Sequence, residues 1–197
     1  MKTINVNKIL ATMLLMLLVS YASANDPILR VAGEKKLVMN IDIVTKNTEL
    51  AIKDVNGFTL YTETIVKSDD KYIKIFDLSK LPNGSYEVVV EDSLKLSTFS
   101  FNIINNRIPM AKLEKTENYK PIFVEKGNKV YVSKYNPGNL PLNITISDSN
   151  NDVVYEEALE GKMELVRVIN FSETKGDYNI AIQSDGKTFT QEISIQK

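Results

Sequence analysis

The chain has 197 residues with 24 basic and 25 acidic side chains, a net charge of −1, and no cysteine, histidine or tryptophan. That inventory excludes disulfides, a lipid-modified N-terminal cysteine, Ser-His-Asp and Cys-His nucleophiles, and zinc sites built from those ligands. The charge balance also argues against nucleic acid or an anionic membrane as partner, because both select basic patches.

The first segment has the pattern of an export signal. Lys2 and Lys8 form a positive start, Ile9 to Val19 is apolar apart from Thr12, and Ala22-Ser23-Ala24 fits the small-x-small cleavage rule. Residues 1–24 are therefore expected to be removed, leaving a mature chain that begins at Asn25. The apolar run is too short to span a bilayer, and no later stretch is long and apolar enough to do so. Removing Lys2 and Lys8 leaves 22 basic against 25 acidic residues, a net charge near −3. Without disulfides, an exported domain depends on its hydrophobic core for stability.

Beyond Asn25 the apolar residues alternate with period two, the mark of strands with one buried face. Leu37-Val38-Met39-Asn40-Ile41-Asp42-Ile43 and Thr98-Phe99-Ser100-Phe101-Asn102-Ile103 show it in the first half. Val130-Tyr131-Val132 and Ile144-Thr145-Ile146 show it in the second. Asn56-Gly57, Pro82-Asn83-Gly84, Pro137-Gly138, Asn150-Asn151 and Asp185-Gly186 punctuate the pattern as turns. The spacing predicts strands near 28–31, 36–45, 48–54, 57–65, 71–78, 85–91 and 95–104. A second set is predicted near 111–124 (irregular), 129–134, 142–148, 152–159, 162–170, 177–183 and 187–195.

The two sets repeat one another. Asp54-Val55-Asn56-Gly57 with Leu60-Tyr61 returns as Asp148-Ser149-Asn150-Asn151 with Val154-Tyr155. Gly84-Ser85-Tyr86 before a β run returns as Gly176-Asp177-Tyr178, and Lys95 to Ile103 returns as Lys187 to Ile195. Matching patterns at this spacing predict tandem duplication of one fold, not a short-period solenoid. Seven short strands per copy predict an all-β protein of two tandem immunoglobulin- or fibronectin-III-like β-sandwiches, over residues 25–107 and 108–197. Asn105 to Pro109 forms the short link between them.

Leu81-Pro82-Asn83-Gly84-Ser85-Tyr86 is the sharpest local motif. A Pro-Gly turn followed by a strand-opening tyrosine predicts a tyrosine corner, in which the phenol pins the connection between sheets. The second copy keeps Gly176 and Tyr178. The roles expected of Gly84, Tyr86, Gly176 and Tyr178 are structural. No catalytic residue, metal ligand or cofactor is expected. Asp69-Asp70, Glu91-Asp92 and Glu156-Glu157 are sequence neighbours, which on a strand face opposite ways, whereas a two-carboxylate hydrolase needs its acids facing each other across a cleft. Asp148 to Asp152 starts like a calcium loop, but Val153 and Leu159 stand where that loop needs Gly and Glu; Asn and Asp also suit a plain hairpin turn. Tyr61 with Tyr72, and Tyr131 with Tyr135, are candidate aromatic patches for a protein or a glycan.

The string Ile52-x-Asp54-x-x-Gly57-x-x-Leu60, then Phe76-Asp77-Leu78-Ser79-x-Leu81-x-x-Gly84-x-Tyr86, then Lys95 and Thr98, resembles the C-terminal β-sandwich sorting domains of the type IX (Por) secretion system of Bacteroidetes and related small secreted proteins of that phylum. The likeness covers Leu50 to Ile103, and more weakly Ile144 to Ile195. It implies an exported bacterial protein at the periplasm, cell surface or outside. Three roles are compatible with these readings: a non-enzymatic structural or interaction module that binds an unknown protein or surface glycan; a C-terminal copy acting as sorting or surface-attachment domain; and a two-sandwich periplasmic chaperone, for which Arg107 is the one candidate cleft cation.

Overall fold

The computed structural model describes residues 5–7, 26–42, 44, 47–66, 71–110, 113–171 and 174–196. Most of the expected export signal, together with Ile43 and Asp69-Asp70, lies outside the described residues. The chain divides into two compact units that part between Asn118 and Tyr119, and the N-terminal stretch containing Asn5–Asn7 (β1) goes with the second. Among the described residues every element is a strand.

In the first unit, β2 (Ile28–Gly33), β3 (Lys36–Ile41) and β6 (Tyr72–Asp77) form a three-stranded antiparallel sheet in the order β2-β3-β6. A second sheet has the order β5-β4-β7-β8-β9, from β4 (Thr48–Asp54), β5 (Thr59–Ile65), β7 (Gly84–Glu91), β8 (Lys95–Ile103) and β9 (Glu114–Tyr119). Leu37, Met39, Ile41 and Phe76 from one sheet and Leu50, Ile52, Val88, Val90, Phe99 and Phe101 from the other form one buried cluster. A single core shared by two sheets is a β-sandwich. The inward residues are those that the period-two pattern selects: Lys95 to Ile103 alternates without a break between buried and half-buried positions.

In the second unit, β10 (Ile122–Lys126), β11 (Lys129–Tyr135) and β14 (Glu164–Asn170) form one sheet, with β1 added antiparallel outside β14. The facing sheet is β13-β12-β15-β16, from β12 (Leu142–Asp148), β13 (Val153–Leu159), β15 (Gly176–Ser184) and β16 (Lys187–Ile195). Val130, Val132, Leu165, Ile169, Ile144, Ile146, Ile180 and Ile182 fill the space between. Both units thus have strands one, two and five in one sheet and four, three, six and seven in the other. That is the fibronectin-III-like arrangement of a Greek-key sandwich. The protein is all-β, with two tandem sandwiches.

The correspondence extends to irregularities. Pairing of β4 with β5 slips between Ile52 and Lys53, and pairing of β12 with β13 slips between Ile146 and Ser147. Asp54 lies opposite Tyr86, and Asp148 opposite Tyr178.

One sequence expectation needs correction. The irregular strand predicted near 111–124 is two strands, β9 and β10, parted at Lys120-Pro121. Pro121 has no N–H for a ladder and constrains the residue before it. β9 then joins the first unit's sheet beside β8, so the compact units divide after Asn118 where the sequence reading divides the chain after Arg107.

Candidate functional site

The four residues singled out from the sequence sit at the start of equivalent strands. The Tyr86 hydroxyl donates to the carbonyl of Pro82 at 3.0 Å, and its ring stacks on Phe101 with centroids 5.7 Å apart. The Tyr178 hydroxyl donates to the carbonyl of Lys175 at 3.4 Å, and its ring lies 4.9 Å from Phe171. Both tyrosines are buried. The two glycines differ. Gly176 has φ +126°, a conformation L side chains rarely adopt, whereas Gly84 has an ordinary φ, and a Cβ there would touch the Tyr86 ring at van der Waals distance.

A second repeated constellation joins the two sheets of each sandwich, between β5 and β6 in the first unit and between β13 and β14 in the second. On β5, Tyr61 and Glu63 face inward because their neighbours Leu60, Thr62 and Thr64 face out; on β6, Lys74 faces inward between exposed Ile73 and Ile75. The Lys74 ammonium meets Glu63 at 2.8 Å, and the Tyr61 hydroxyl donates to the same carboxylate oxygen. In the second unit Tyr155 and Glu157 on β13 meet Arg167 on β14. There Arg167 is bidentate, with Nε and Nη2 at 2.8 and 2.7 Å from the two Glu157 oxygens. Each clasp joins one sheet to the other. The hydrogen bonds from Lys74 and Tyr61 hold the Glu63 carboxyl below its usual range. Burial, with Glu63 or Glu157 beside them, pushes the Tyr72 and Tyr155 phenols up to about 12. These groups are therefore locked in one ionisation state across the physiological range, which suits a structural tie and not proton transfer.

The candidate aromatic patches resolve differently. Tyr61 and Tyr72 both converge on Glu63, with Tyr61 packed edge-on to Phe76 at 5.8 Å. Tyr135 packs against Tyr119, centroids 4.9 Å apart; Tyr131 is not its partner.

The turn at Asp148 uses its carboxylate internally. Asp148 Oδ1 accepts from the backbone N–H groups of Asn150 and Asp152 at 2.9 and 3.1 Å, as Asp54 Oδ1 accepts from Asn56 and Phe58, both at 2.9 Å. This is the Asx-turn that makes Asp favourable there. Of the paired carboxylates, Glu157 faces in and Glu156 faces out, and Asp92 caps a turn through the amides of Leu94 and Lys95.

Three lysines are buried among the described residues; of these the sequence named only Lys95, as a landmark of the repeat and of the resemblance, and it gave none of them an interior role. Lys35 donates to the carbonyls of Ser79 and Leu81 and to Asn106 Oδ1, tying the β2–β3 turn to two other loops. Lys95 pairs with Asp26 and with Glu117, the latter at 2.8 Å. Burial raises the Glu117 carboxyl, but hydrogen bonds from Lys115 and Lys95 outweigh it and bring it down to about 2. Lys134 donates to the Tyr119 carbonyl and lies over the Phe189 ring at 5.1 Å; burial pushes its ammonium down to about 8.

Exposed apolar side chains gather around the β5 and β6 edges of the first unit: Val55, Phe58 and Leu60 near β5, and Ile73 and Ile75 on β6. Of these, Leu60 and Ile75 line a shallow cavity of about 290 Å³ that also takes in Tyr61, Lys74 and Leu81.

No protein-family model matches the chain, and no curated protein matches it. Among solved structures, the chain is similar to a two-domain fibronectin type III segment of chicken tenascin, at 12% identity and TM-score 0.31, covering 86% of this chain and 98% of that one. It is similar to the BSP domain structure of a biofilm-associated protein at 14% identity and TM-score 0.28, covering 86% of this chain but 29% of the other. The fibronectin domains of chicken CNTN1 give 12% identity and TM-score 0.29, with 88% and 67% covered.

Proposed function

We propose that the chain is an exported, non-enzymatic structural or interaction protein, made by duplication of one β-sandwich module. Residues 1–24 are the export signal, and by the sequence repeat residues 25–107 and 108–197 carry the two copies, with β9 at the head of the second segment lying in the first sandwich's sheet. The observation that carries this reading is where the chemistry goes. The inward-facing carboxylates Glu63, Glu117 and Glu157 are each held by a cation of their own sandwich, so the polar groups act as ties. Apolar side chains such as Phe58 and Ile75 are left on the surface, which is where a partner protein or a glycan would bind. Tyr86 and Tyr178, with Gly84 and Gly176, act as tyrosine corners.

Export is tested by N-terminal sequencing of the protein recovered from the periplasm, the surface and the medium of the producing cell. A start at Asn25 supports the reading, and retention of Met1 in the cytoplasm refutes it. Turnover by the purified protein on panels of polysaccharides and peptides would refute the non-enzymatic role.

A further inference from the structure

We infer that β6 is a self-association edge, through which two copies of this chain join their three-stranded sheets into one. β6 is the last strand of the order β2-β3-β6, so one side of its backbone has no strand beyond it among the described residues. Such an edge is a template for strand addition unless a proline, a bulge or a projecting charge blocks it. β6 reads Tyr72-Ile73-Lys74-Ile75-Phe76-Asp77, pairs with β3 without a bulge, and holds no proline. Its one inward charge, Lys74, is turned into the clasp with Glu63.

The outward face explains why a partner strand would be favoured. Ile73 and Ile75 are 57% and 64% exposed. Across the sheet they lie in register with Asn40 and Ile28, and with Val38 and Arg30. Ile28, Val38, Ile73 and Ile75 therefore make an apolar band that ends abruptly at the open edge.

A second copy is the occupant because the strand is self-complementary in one register. Opposed residues in an antiparallel ladder share a face, so matching outward to outward restricts a two-fold pairing to three neighbouring registers. With Lys74 opposite the second copy's Lys74, Ile73 lies opposite Ile75 twice, and Lys71 opposite Asp77 twice. Both charges are exposed at the strand ends; Lys71 lies 3.2 Å from Asp42, and Asp77 caps the Ser79 amide. Shifting by two residues sets Lys71 against Ile75, or Ile73 against Asp77, and loses both charge pairs. Opposite charges across a ladder stabilise and like charges oppose it. The opposed lysines are each neutralised by Glu63 of their own copy.

This names a partner for the interaction role proposed above, and it stands or falls separately from the export and turnover assays. The test is sedimentation velocity of the protein as its producing cell processes it, from about 1 μM to about 1 mM, the range in which small edge-to-edge contacts associate. The expected result is a monomer–dimer equilibrium that Ile75→Lys abolishes. Lys71→Glu and Asp77→Lys should each weaken it about fivefold or more, and the two together should restore it to within about twofold. Register is read by cross-linking, since the chain has no native cysteine. A mixture of Ile73→Cys and Ile75→Cys proteins should form a disulfide-linked pair faster than either alone. A monomer at every concentration, a dimer indifferent to Ile75→Lys, a combined charge swap no tighter than the singles, or a single cysteine variant that links with itself as fast as the mixture does would each overturn the inference.

Discussion

Lys134 offers the sharpest test of how the second sandwich balances its interior. It is 2% exposed and sits on β11 two residues after the core residue Val132, so an ammonium occupies an inward position of that strand. Burial lowers its pKa from 10.5 to about 8, and the charge of Asp185 offsets only part of this. A shift of that size corresponds to at most about 3 kcal/mol. The hydrogen bond to the Tyr119 carbonyl and the Phe189 ring return part of the cost, so Lys134→Met should stabilise the second unit by about 1–2 kcal/mol at neutral pH. The sign with pH follows. Below pH 8 both folded and unfolded chains hold the proton, and the burial cost is fully present. Between about pH 8 and 10.5 the folded chain has released the proton and the unfolded chain has not, so wild-type stability rises relative to the variant. Urea unfolding of both proteins, followed by far-UV circular dichroism and fitted to two transitions, should show the variant's advantage shrinking between pH 7 and pH 10. A variant less stable than wild type at pH 7, or an advantage flat across that range, would refute the reasoning.

Other substitutions probe the remaining ties by the same unfolding measurements. Tyr86→Phe should cost about 1 kcal/mol and Tyr178→Phe less, because the second hydroxyl bond is longer, 3.4 against 3.0 Å; equal midpoints for wild type and both variants would contradict the corner role. Gly176→Ala should cost about 1 kcal/mol through its positive φ, and Gly84→Ala should be close to neutral, a contrast read from paired melts. Glu157→Gln should cost about 1–2 kcal/mol, because it leaves a well-covered guanidinium without its anion. Glu63→Gln should cost at most about 0.5 kcal/mol in its more exposed clasp. The Glu117 carboxyl, folded at about 2 against 4.5, contributes stability that is present above pH 4.5 and lost as the pH falls towards 2; Glu117→Gln should flatten that part of the acid limb.

The strands were legible because alternation has one physical source, a sheet with one buried face. Lys95 to Ile103 needed no more than that, and the seven-strand count followed from turn residues such as Asn56-Gly57 and Asp185-Gly186. The clasps were not read, although the sequence carried a signal for them. Tyr61-x-Glu63 and Tyr155-x-Glu157 recur at the same offset as the Asp54 and Asp148 turns, and period two puts each Tyr and Glu on one face. What alternation could not supply was the partner, because Lys74 and Arg167 come from the opposite sheet, and which edges meet is decided by the sandwich. Lys134 was hidden for a related reason. Its position in Val130-x-Val132-x-Lys134 is inward, but a charged residue at a strand end is ordinarily taken as solvated. The β9–β10 break was missed because Lys120-Pro121 interrupts a stretch whose alternation is already weak.

The most direct test of the account is to follow both sandwiches in the producing cell, with one antibody to each, and to sequence the N-terminus of every species found. The account predicts one species beginning at Asn25, carrying both sandwiches, in the periplasm, on the surface or in the medium. A chain held in the cytoplasm with Met1 intact would contradict export. The first sandwich found outside the cell without the second would instead make the C-terminal copy a cleaved sorting domain.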